Sequence, residues 1–499
     1  MKASIKTYKM FIDGEWVDAE TKNVFDVINP ATEEVIARVQ KGGKNDVRRA
    51  IAAARKAFDS GVWSKKTPQE RANLLWRLSE LVEAHGVELA RLESINVGKT
   101  IKYARESDLP FIIDNLRFFA GAARMLEGKA AAEYSGMGTS IARREPLGVV
   151  AAIVPWNYPL YIAIWKLAPA LAAGNTIVIK PASKTPLTLL EFAKLTEGLL
   201  PKGVLNVVTG PGEEIGTEMA TNADVDMVAL TGDISTGKEV MRLASQTVKR
   251  VHLELGGKAP FIVLKDASVD AATEGAVVSA FWNTAQDCTA TTRIYVHGSI
   301  YDKFLDLLVK KVKKIRVGDP LSEKVDMGPL ISKTQLERVE AYVKSSLDEG
   351  ARLVIGGKRP AGLKKGFFFE PTVFADVKQN AKLCQEEVFG PILALFKFST
   401  VDEVIKKAND VIYGLAASVW GKDITDLFNV ANALKFGTVW INEHGILVSE
   451  MPHGGFKQSG FGKDLSLYSL EEYTQVKHVY VDNTGLVRKP WYYVVYGDK

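Results

Sequence analysis

Short apolar runs alternate with segments of helical length through the middle of the chain. Four of these runs are rich in aliphatic and β-branched residues, and they span Val149–Pro155, Thr176–Pro181, Leu205–Gly210 and Met227–Gly232. Continuous apolar runs, as opposed to alternating ones, are typical of parallel strands covered by helices on both faces. The pattern therefore predicts a parallel α/β sheet.

A second series of predicted strands begins after Gly257. Its clearest members are Phe261–Leu264, Arg293–Val296 and Thr438–Asn442. The predicted fold class is α/β, with two parallel-sheet domains joined near residues 255–260.

The remaining regions have other patterns. Met10–Val17 predicts a hairpin with a tight Asp-Gly turn, and residues 45–130 are mostly helical in their apolar spacing. The stretches Ser140–Arg144 and Val476–Val481 resemble isolated strands. Such strands need a partner sheet, which another subunit could supply.

Composition excludes several classes of protein. The chain has 499 residues, of which 46% are hydrophobic and 25% charged, as is ordinary for a globular enzyme. The net charge of +5 is small and the basic residues are scattered, so no nucleic-acid partner is predicted. No apolar run reaches about 18 residues, so no membrane span is predicted. Two cysteines, and a start at Met1–Lys9 without an apolar signal stretch, indicate thiols in a reducing, cytoplasmic location.

Cys288 is a candidate nucleophile. Its neighbours Gln286, Asp287 and Thr289 are polar, whereas a structural cysteine normally lies among apolar residues, and Cys384 is a plausible example of that kind. The adjacent Asp287 charge raises a thiol pKa, so any activation must come from the tertiary environment. A structural role for Cys288 stays open at this point.

Glu254 is a candidate base. It lies in an otherwise apolar strand-like run that ends in the paired glycines Gly256 and Gly257. A carboxylate there could cap a helix or pair with a lysine, or it could activate water to hydrolyse a thioester.

Two glycine-rich turns are candidate phosphate sites. Gly210–Gly216 and Gly232–Gly237 each follow a predicted strand, and a helix N-terminus favours an anion. Their spacing is not that of the dinucleotide fingerprint, so plain turns are the alternative. The six histidines are scattered and none pairs with a cysteine at ligand spacing, so no metal site is predicted.

The chain resembles the aldehyde dehydrogenase superfamily over essentially its whole length. Seven matching segments occur in the family's order, and together they are far more specific than any one alone. They are Pro155–Pro159, Lys180–Ser183, Leu230–Gly232, Glu254–Lys258, Gln286–Cys288, Glu387–Pro391 and Gly454–Gly460.

The resemblance implies roles for three residues. Cys288 would attack the aldehyde carbon, and the Asn157 amide with the Cys288 backbone N–H would form the oxyanion hole. Hydride transfer to the nicotinamide would leave a thioester on the cysteine. Glu254 would activate water to release the free acid, which disfavours the alternative of acyl transfer to coenzyme A. A non-catalytic structural member of the fold is a second alternative.

The resemblance also implies an NAD(P) site. Lys180 and Glu387 would bind the two riboses, Phe389 would pack near the nicotinamide, and Gly232 would approach the pyrophosphate. Further expected cofactor contacts are Val154, Pro155, Trp156, Gly212, Gly216, Thr231, Gly237 and Leu255.

Two departures from the family pattern concern the cofactor. Members that prefer NAD usually carry a glutamate where this chain has Ser183, which Lys184 follows. Serine with a nearby lysine can accept a 2′-phosphate, so NADP is predicted to be used well and preferred. Asp233 replaces a usual serine beside the pyrophosphate, and this puts the details of pyrophosphate binding in doubt.

A third departure concerns the substrate. His453 replaces a usual phenylalanine of the substrate tunnel, and Tyr158 and Trp165 would be further walls. Together with Asp287, the stretch before Gly455 most resembles the γ-aminobutyraldehyde and betaine-aldehyde branch. Asp114 at the tunnel mouth would suit an ammonium group, unless it is a surface charge.

The family's domain plan implies boundaries in this chain. Residues 1–124 and 147–255 would bind the cofactor, 256–455 would form the catalytic domain, and 125–146 with 470–483 would be oligomerisation strands. Residues 484–499 form an aromatic-rich tail that docking on a neighbouring subunit would explain. A homodimer or homotetramer is the expected assembly.

Overall fold

The structure, a computed structural model, describes residues 5–497. The predictions for the first four and the last two residues lie outside the described residues. Within it the strands, in chain order, are β1 (Lys6–Tyr8), β2 (Met10–Ile12), β3 (Glu15–Val17), β4 (Val24–Ile28), β5 (Val35–Gln40), β6 (Gly138–Pro146), β7 (Val149–Ile153), β8 (Thr176–Lys180), β9 (Leu205–Val207), β10 (Met227–Thr231), β11 (Arg250–Glu254), β12 (Ala259–Val263), β13 (Thr291–His297), β14 (Arg352–Ile355), β15 (Thr372–Ala375), β16 (Ile392–Phe398), β17 (Ala416–Trp420), β18 (Thr438–Ile441), β19 (Gly460–Phe461) and β20 (Thr474–Asp482).

The α-helices of the same residues are α1 (Lys44–Ser60), α2 (Pro68–Ala84), α3 (Gly86–Val97), α4 (Ile101–Tyr103), α5 (Leu109–Ala122), α6 (Pro159–Ala173), α7 (Leu187–Leu195), α8 (Gly212–Thr221), α9 (Ile234–Ala244), α10 (Val269–Phe281), α11 (Tyr301–Val312), α12 (Lys333–Asp348), α13 (Lys382–Gln385), α14 (Val401–Asn409), α15 (Ile424–Ala433), α16 (Ser466–Glu472) and α17 (Tyr493–Tyr496). A π-helical turn, Ala104–Asp108, joins α4 to α5. Local sequence explains the start of α2, where Thr67 and Glu70 cap each other and proline takes the first helical position.

Eight strands form the first sheet, in the order β19-β11-β10-β7-β8-β9-β2-β3. The five central strands are parallel and β2 and β19 pair antiparallel at the two sides. Every residue of β8 and β9 is buried, because helices cover both faces. The predicted parallel sheet is confirmed, and so is the hairpin of β2 and β3.

Seven strands form the second sheet, in the order β14-β15-β16-β13-β12-β17-β18. All of its pairs are parallel except β14 with β15. The chain passes from the first sheet to the second between the end of β11 at Glu254 and the start of β12 at Ala259. The α/β class with two parallel sheets is therefore confirmed, whereas the domain boundaries stay predictions.

The two stretches predicted as isolated strands pair with each other. β6 and β20 form a two-stranded antiparallel ribbon, in register from Gly138 opposite Asp482 to Pro146 opposite Thr474. The reading of each strand as isolated is therefore wrong, whereas pairing of this ribbon with a sheet of another subunit stays a prediction. A small sheet of β1, β5 and β4, which the sequence reading did not anticipate, lies near the amino terminus.

None of the helices in residues 5–497 combines the length and the apolar character that a membrane crossing requires.

Candidate active site

A cavity of about 1030 Å³ lies between the two sheets. The carboxyl ends of β7, β8, β10 and β11 open into it, which is where open parallel sheets normally bind ligands. Most predicted site residues line this cavity: Val154, Pro155, Trp156, Asn157, Tyr158, Trp165, Lys180, Ser183, Lys184, Gly212, Thr231, Gly232, Asp233, Glu254, Leu255, Asp287, Cys288, Glu387, Phe389 and His453.

Three predicted residues lie elsewhere. The exposed Asp114 carboxylate accepts a hydrogen bond from Ser449 at 2.6 Å and lies outside the lining of this cavity. Gly216 and Gly237 are buried under neighbouring side chains. A Cβ on Gly237 would lie 2.6 Å from Leu255, so this glycine makes room for packing, and its contact with a cofactor stays a prediction.

An unusual turn presents Cys288. Asn283, Thr284 and Ala285 all have positive φ angles, of 44°, 60° and 55°. Each left-handed residue other than glycine costs about 1 kcal/mol, so the surrounding contacts must hold the turn. The Gln286 carbonyl oxygen accepts from the amides of Asn157 (3.0 Å) and Asn283 (3.2 Å), which ties the turn to the end of β7.

His444 holds the other side of the cysteine. Its Nε2 lies 2.8 Å from the Thr289 carbonyl oxygen and must donate to it, while the Ser418 hydroxyl lies 3.0 Å from Nδ1. Burial lowers the pKa of His444 to about 4, so the ring is neutral with its proton on Nε2. No local motif marked this residue, because its role depends on contacts across 155 residues of sequence.

Paired glycines allow three chain segments to meet. A Cβ on Gly257 would lie 2.1 Å from the Cys288 carbonyl oxygen, and one on Gly256 would lie 2.3 Å from the Glu387 carboxylate. Real Cβ atoms do not approach so closely, so only glycine lets the chain after Glu254 pass the nucleophile.

The Cys288 thiol is half-buried and protonated at neutral pH. Burial, together with the Asp287, Glu387 and Glu254 carboxylates, raises the pKa of Cys288 well above its ordinary value. The protein alone does not activate this thiol.

Glu254 is buried at the end of β11, and its Oε1 makes no hydrogen bond. Burial, reinforced by the Asp464 charge, raises the pKa of Glu254 to about 8. A carboxyl group with a pKa near the working pH can both take up and release a proton.

The cavity residues fit a dinucleotide with two riboses. Lys180 is buried with its Nζ 2.9 Å from the Pro181 carbonyl oxygen, and burial lowers its pKa to about 8. Glu387 accepts from the Gly257 N–H at 2.8 Å. Thr231 presents a buried hydroxyl oxygen without a hydrogen-bond partner at the start of the turn before α9. These groups offer the donors and acceptors that hydroxyl and phosphate oxygens need.

Ser183 and Lys184, the residues expected to contact a 2′-phosphate, already make hydrogen bonds within the protein. Ser183 donates to the Gly210 carbonyl oxygen at 2.9 Å, and Lys184 donates to the Ser332 hydroxyl at 3.1 Å. Asp233 caps α9 by accepting from the Thr236 N–H at 2.9 Å. Burial would raise the pKa of Asp233, but hydrogen bonds from Ser235 and Thr236 bring it below its ordinary value. Asp233 therefore serves as the N-cap of α9, a role that serine fills equally well, so capping alone does not explain the departure.

Aromatic rings line one wall near the cysteine. Tyr161 lies 4.9 Å from Phe111, 5.5 Å from Tyr158 and 5.1 Å from Trp165, measured between ring centroids. The Tyr158 hydroxyl donates to Asp287 at 2.6 Å, which places a carboxylate beside this wall. His453 is 5.6 Å from Trp165, and burial lowers its pKa to about 4.

Some lining residues escaped the sequence reading. Tyr161 lies three residues after Tyr158 and four before Trp165, a spacing that puts all three on one helical face, so this residue could have been found. Arg338, Gln335 and Tyr413 also line the cavity and lie in no recognisable motif.

A dinucleotide-sized cleft at the strand ends, meeting a thiol and a buried carboxylate, defines a class: a cofactor-dependent enzyme with a covalent cysteine step. Comparison with known proteins identifies the family. The model of the aldehyde dehydrogenase family matches residues 16–479. The chain belongs to this family, and it is an oxidoreductase that converts aldehydes to acids through cysteine chemistry.

Similar proteins cover almost the whole chain. Betaine aldehyde dehydrogenase of Bacillus subtilis is 47% identical over 97% of this chain and 99% of its own length. Human aldehyde dehydrogenase 1A1 is 43% identical, with coverage of 96% and 95%. The structure of betaine aldehyde dehydrogenase from Staphylococcus aureus in complex with NAD+ superposes with a TM-score of 0.95 at 42% identity, covering 97% and 96% of the two chains.

Proposed function

We propose that the protein oxidises a small aldehyde with a cationic end, an aminoaldehyde or a betaine-like aldehyde, with NADP in preference to NAD. The observation that carries the substrate class is the Asp287 carboxylate beside the wall formed by Tyr158, Tyr161 and Trp165, next to Cys288. A carboxylate and aromatic faces together attract an ammonium group by charge and cation–π contact. The betaine aldehyde dehydrogenase of Bacillus subtilis supports the same class.

Cys288 and Asn157 would carry out the first step. The Cys288 thiol gives up its proton to water, its sulfur attacks the aldehyde carbon, and the electron pair of the broken C=O π bond moves to the oxygen, which becomes the oxyanion of a thiohemiacetal. One N–H of the Asn157 amide is held by Gln286, which leaves the second N–H for the oxyanion. A donor of this kind lowers the barrier by about 3 kcal/mol.

Lys180, Glu387, Thr231 and Phe389 would hold the cofactor. When bound, the nicotinamide accepts the hydride, and its positive ring opposes the negative charges that keep the Cys288 thiol protonated. NAD+ in the similar Staphylococcus aureus structure supports this assignment.

Glu254 would complete the reaction by hydrolysis. It takes a proton from water while the water oxygen attacks the thioester carbon, and the carbon–sulfur bond breaks to release the acid and the Cys288 thiolate. This carboxylate at the cavity wall favours water over coenzyme A as the acceptor. An inert Cys288 would instead support a structural member of the fold.

Asp287→Asn is expected to lower kcat/KM more for cationic aldehydes than for other aldehydes. Loss of the carboxylate should lower kcat/KM for 4-aminobutanal and betaine aldehyde about 5- to 30-fold, since a partly desolvated cation contact contributes about 1–2 kcal/mol. Propanal and succinic semialdehyde should lose far less. The measurement is nicotinamide reduction followed at each substrate concentration.

Asp114→Asn is the matched control for that substitution, because Asp114 lies outside the cavity lining. It should leave the aldehyde ranking unchanged. Equal losses on charged and neutral aldehydes in Asp287→Asn would contradict the assigned substrate class.

Ser183→Glu is expected to move cofactor use from NADP to NAD. The new carboxylate would repel a 2′-phosphate and accept from a ribose 2′-hydroxyl, so kcat/KM for NADP should fall about 10- to 100-fold, while that for NAD holds or rises. Initial rates with both cofactors test this. Ser60→Glu, the same change at an exposed helix end, is the control, and a wild-type enzyme that already prefers NAD would contradict the NADP assignment.

The assembly and location belong to the same proposal. The β6–β20 ribbon leaves Val476, Tyr480 and Val481 exposed, which supports its use as a contact between copies in a homodimer or homotetramer. The exposed Trp491 and Tyr496 of the tail would add to such a contact. Both cysteines are free thiols, in keeping with a cytoplasmic location.

A further inference from the structure

A buried cluster of charged side chains surrounds Glu254. Lys166 donates to Asp464 at 2.6 Å, and both side chains are wholly buried. His252 lies two residues before Glu254 on β11, so the two side chains point to the same face of the sheet. One ligand-type atom each of His252, Glu254 and Asp464 lies within 4.8 Å of the others. The Lys166 ammonium already supplies the positive charge that a metal ion bound by these three groups would otherwise provide.

His252 lies between two carboxylates of different exposure, and only its contact with Glu472 is a hydrogen bond. Its Nδ1 is 2.8 Å from Glu472 and its Nε2 is 3.4 Å from Asp464. The Asp464 side chain is wholly buried, whereas 32% of the Glu472 side chain is exposed. A charged imidazole has a donor on each nitrogen and can satisfy both carboxylates, whereas a neutral imidazole can satisfy only one.

The surrounding charges favour the protonated ring. Burial and Lys166 would lower the pKa of His252, but Asp464 and Glu472 outweigh them and raise it above its ordinary value. Tyr473, with its ring centroid 6.4 Å away, is a further titratable neighbour, and Lys463 and His453 lie on the far sides of Glu472 and Asp464. The positive charges of Lys166 and His252 hold the pKa of Asp464 at about 2, so that carboxylate stays ionised.

Glu254 is the carboxylate left without a partner. Asp464 opposes its ionisation, whereas Lys166, His252 and Lys463 favour it. The Cys288 thiol faces it across the cavity. If His252 lost its positive charge, only Lys166 would balance the negative charge of Asp464. The pKa of Glu254 would then rise, because its carboxylate would be repelled more strongly by Asp464.

We propose that His252 is a positioning residue that keeps a positive charge between Asp464 and Glu472, and that this charge lets Glu254 ionise and take the proton of the hydrolytic water. The proposal rests on the assignment of Glu254 as the base for thioester hydrolysis. Because Glu472 is partly exposed, the pH of the solvent affects the charge of the His252 ring and, through it, the ionisation of the buried Glu254.

His252→Gln tests the proposal through the pH dependence of the deacylation step. The pre-steady-state burst of reduced cofactor reports acylation, and the slower steady rate reports deacylation. The apparent pKa of the steady rate should rise by about one pH unit, so this rate should fall about tenfold at pH 7. The two profiles should converge at alkaline pH, because the wild-type ring then loses the same charge. The burst itself should keep its wild-type pH dependence.

Glu472→Gln keeps the proposal testable if His252→Gln folds poorly. It removes the outer anion that stabilises the charged ring, so it should shift the steady rate in the same direction by a smaller amount. His85→Gln, which changes an exposed histidine at the end of α2, should shift nothing. Thermal unfolding checks that each variant is folded.

A steady rate that falls by one factor at every pH, or that does not change, would overturn the role of His252. Absence of any reduction of NADP or NAD by the wild-type enzyme with the tested aldehydes would instead overturn the proposed function, so the two failures are distinguishable.

Discussion

Cys288→Ala is expected to abolish aldehyde oxidation, with kcat lowered by at least about 10⁴-fold. No other thiol lines the cavity, since the second cysteine, Cys384, is wholly buried in the core of the second sheet. The left-handed turn before Cys288 and the His444 contact after it hold this one sulfur beside Asn157 and Glu254. Reduction of NADP or NAD in the presence of aldehyde measures the loss.

Cys384→Ala is the matched control. Its sulfur lies 3.9 Å from the Tyr295 hydroxyl and outside the cavity, so activity should remain while the melting temperature falls by a few degrees. Cofactor binding should survive in both variants. Activity retained in Cys288→Ala would contradict the covalent mechanism.

Glu254→Gln is expected to stop the reaction after one turnover. Acylation does not need this carboxylate, so the variant should still give a burst of one reduced cofactor per active site. The steady rate should then fall about 10²- to 10⁴-fold, because the general base for the attacking water is lost. Glutamine has nearly the same shape, and Glu254 Oε1 has no hydrogen bond to lose.

The pH dependence of the deacylation rate provides a second test of Glu254→Gln. With a pKa of about 8, wild-type Glu254 becomes ionised as the pH rises through that value, so deacylation should accelerate over the same range. Glu254→Gln should lack this rise. Glu340→Gln, on the exposed side of α12, should behave as wild type. A variant that turns over repeatedly at the wild-type rate would contradict the assignment.

The sheets were predictable because burial on both faces leaves a local signature. Strands β7, β8, β9 and β10 are continuous apolar runs, and the hairpin of β2 and β3 carries its turn residues. The partner of β6 was not predictable, because pairing with β20 joins residues more than 300 positions apart and no local pattern encodes that distance.

The candidate site likewise contains residues that the sequence predicts and residues that it does not. Cys288, Glu254 and Asn157 lie in contiguous motifs, so their convergence could be predicted by resemblance. His444, His252 and Asp464 act through contacts between distant segments, and each looks like an ordinary polar residue in its own stretch. Asp114 is exposed although Ile112 and Ile113 are buried, because these neighbours lie about 100–200° away from it around the helix.

If catalysis passes through a thioester on Cys288 that Glu254 resolves with water, Glu254→Gln should accumulate that thioester. The most direct test is the intact mass of Glu254→Gln after incubation with 4-aminobutanal and NADP, followed by acid quenching and peptide mapping. We expect one acyl group per chain, carried by the peptide that contains Cys288. Reduced cofactor without an adduct, an adduct on another residue, or acyl release that requires coenzyme A would contradict it.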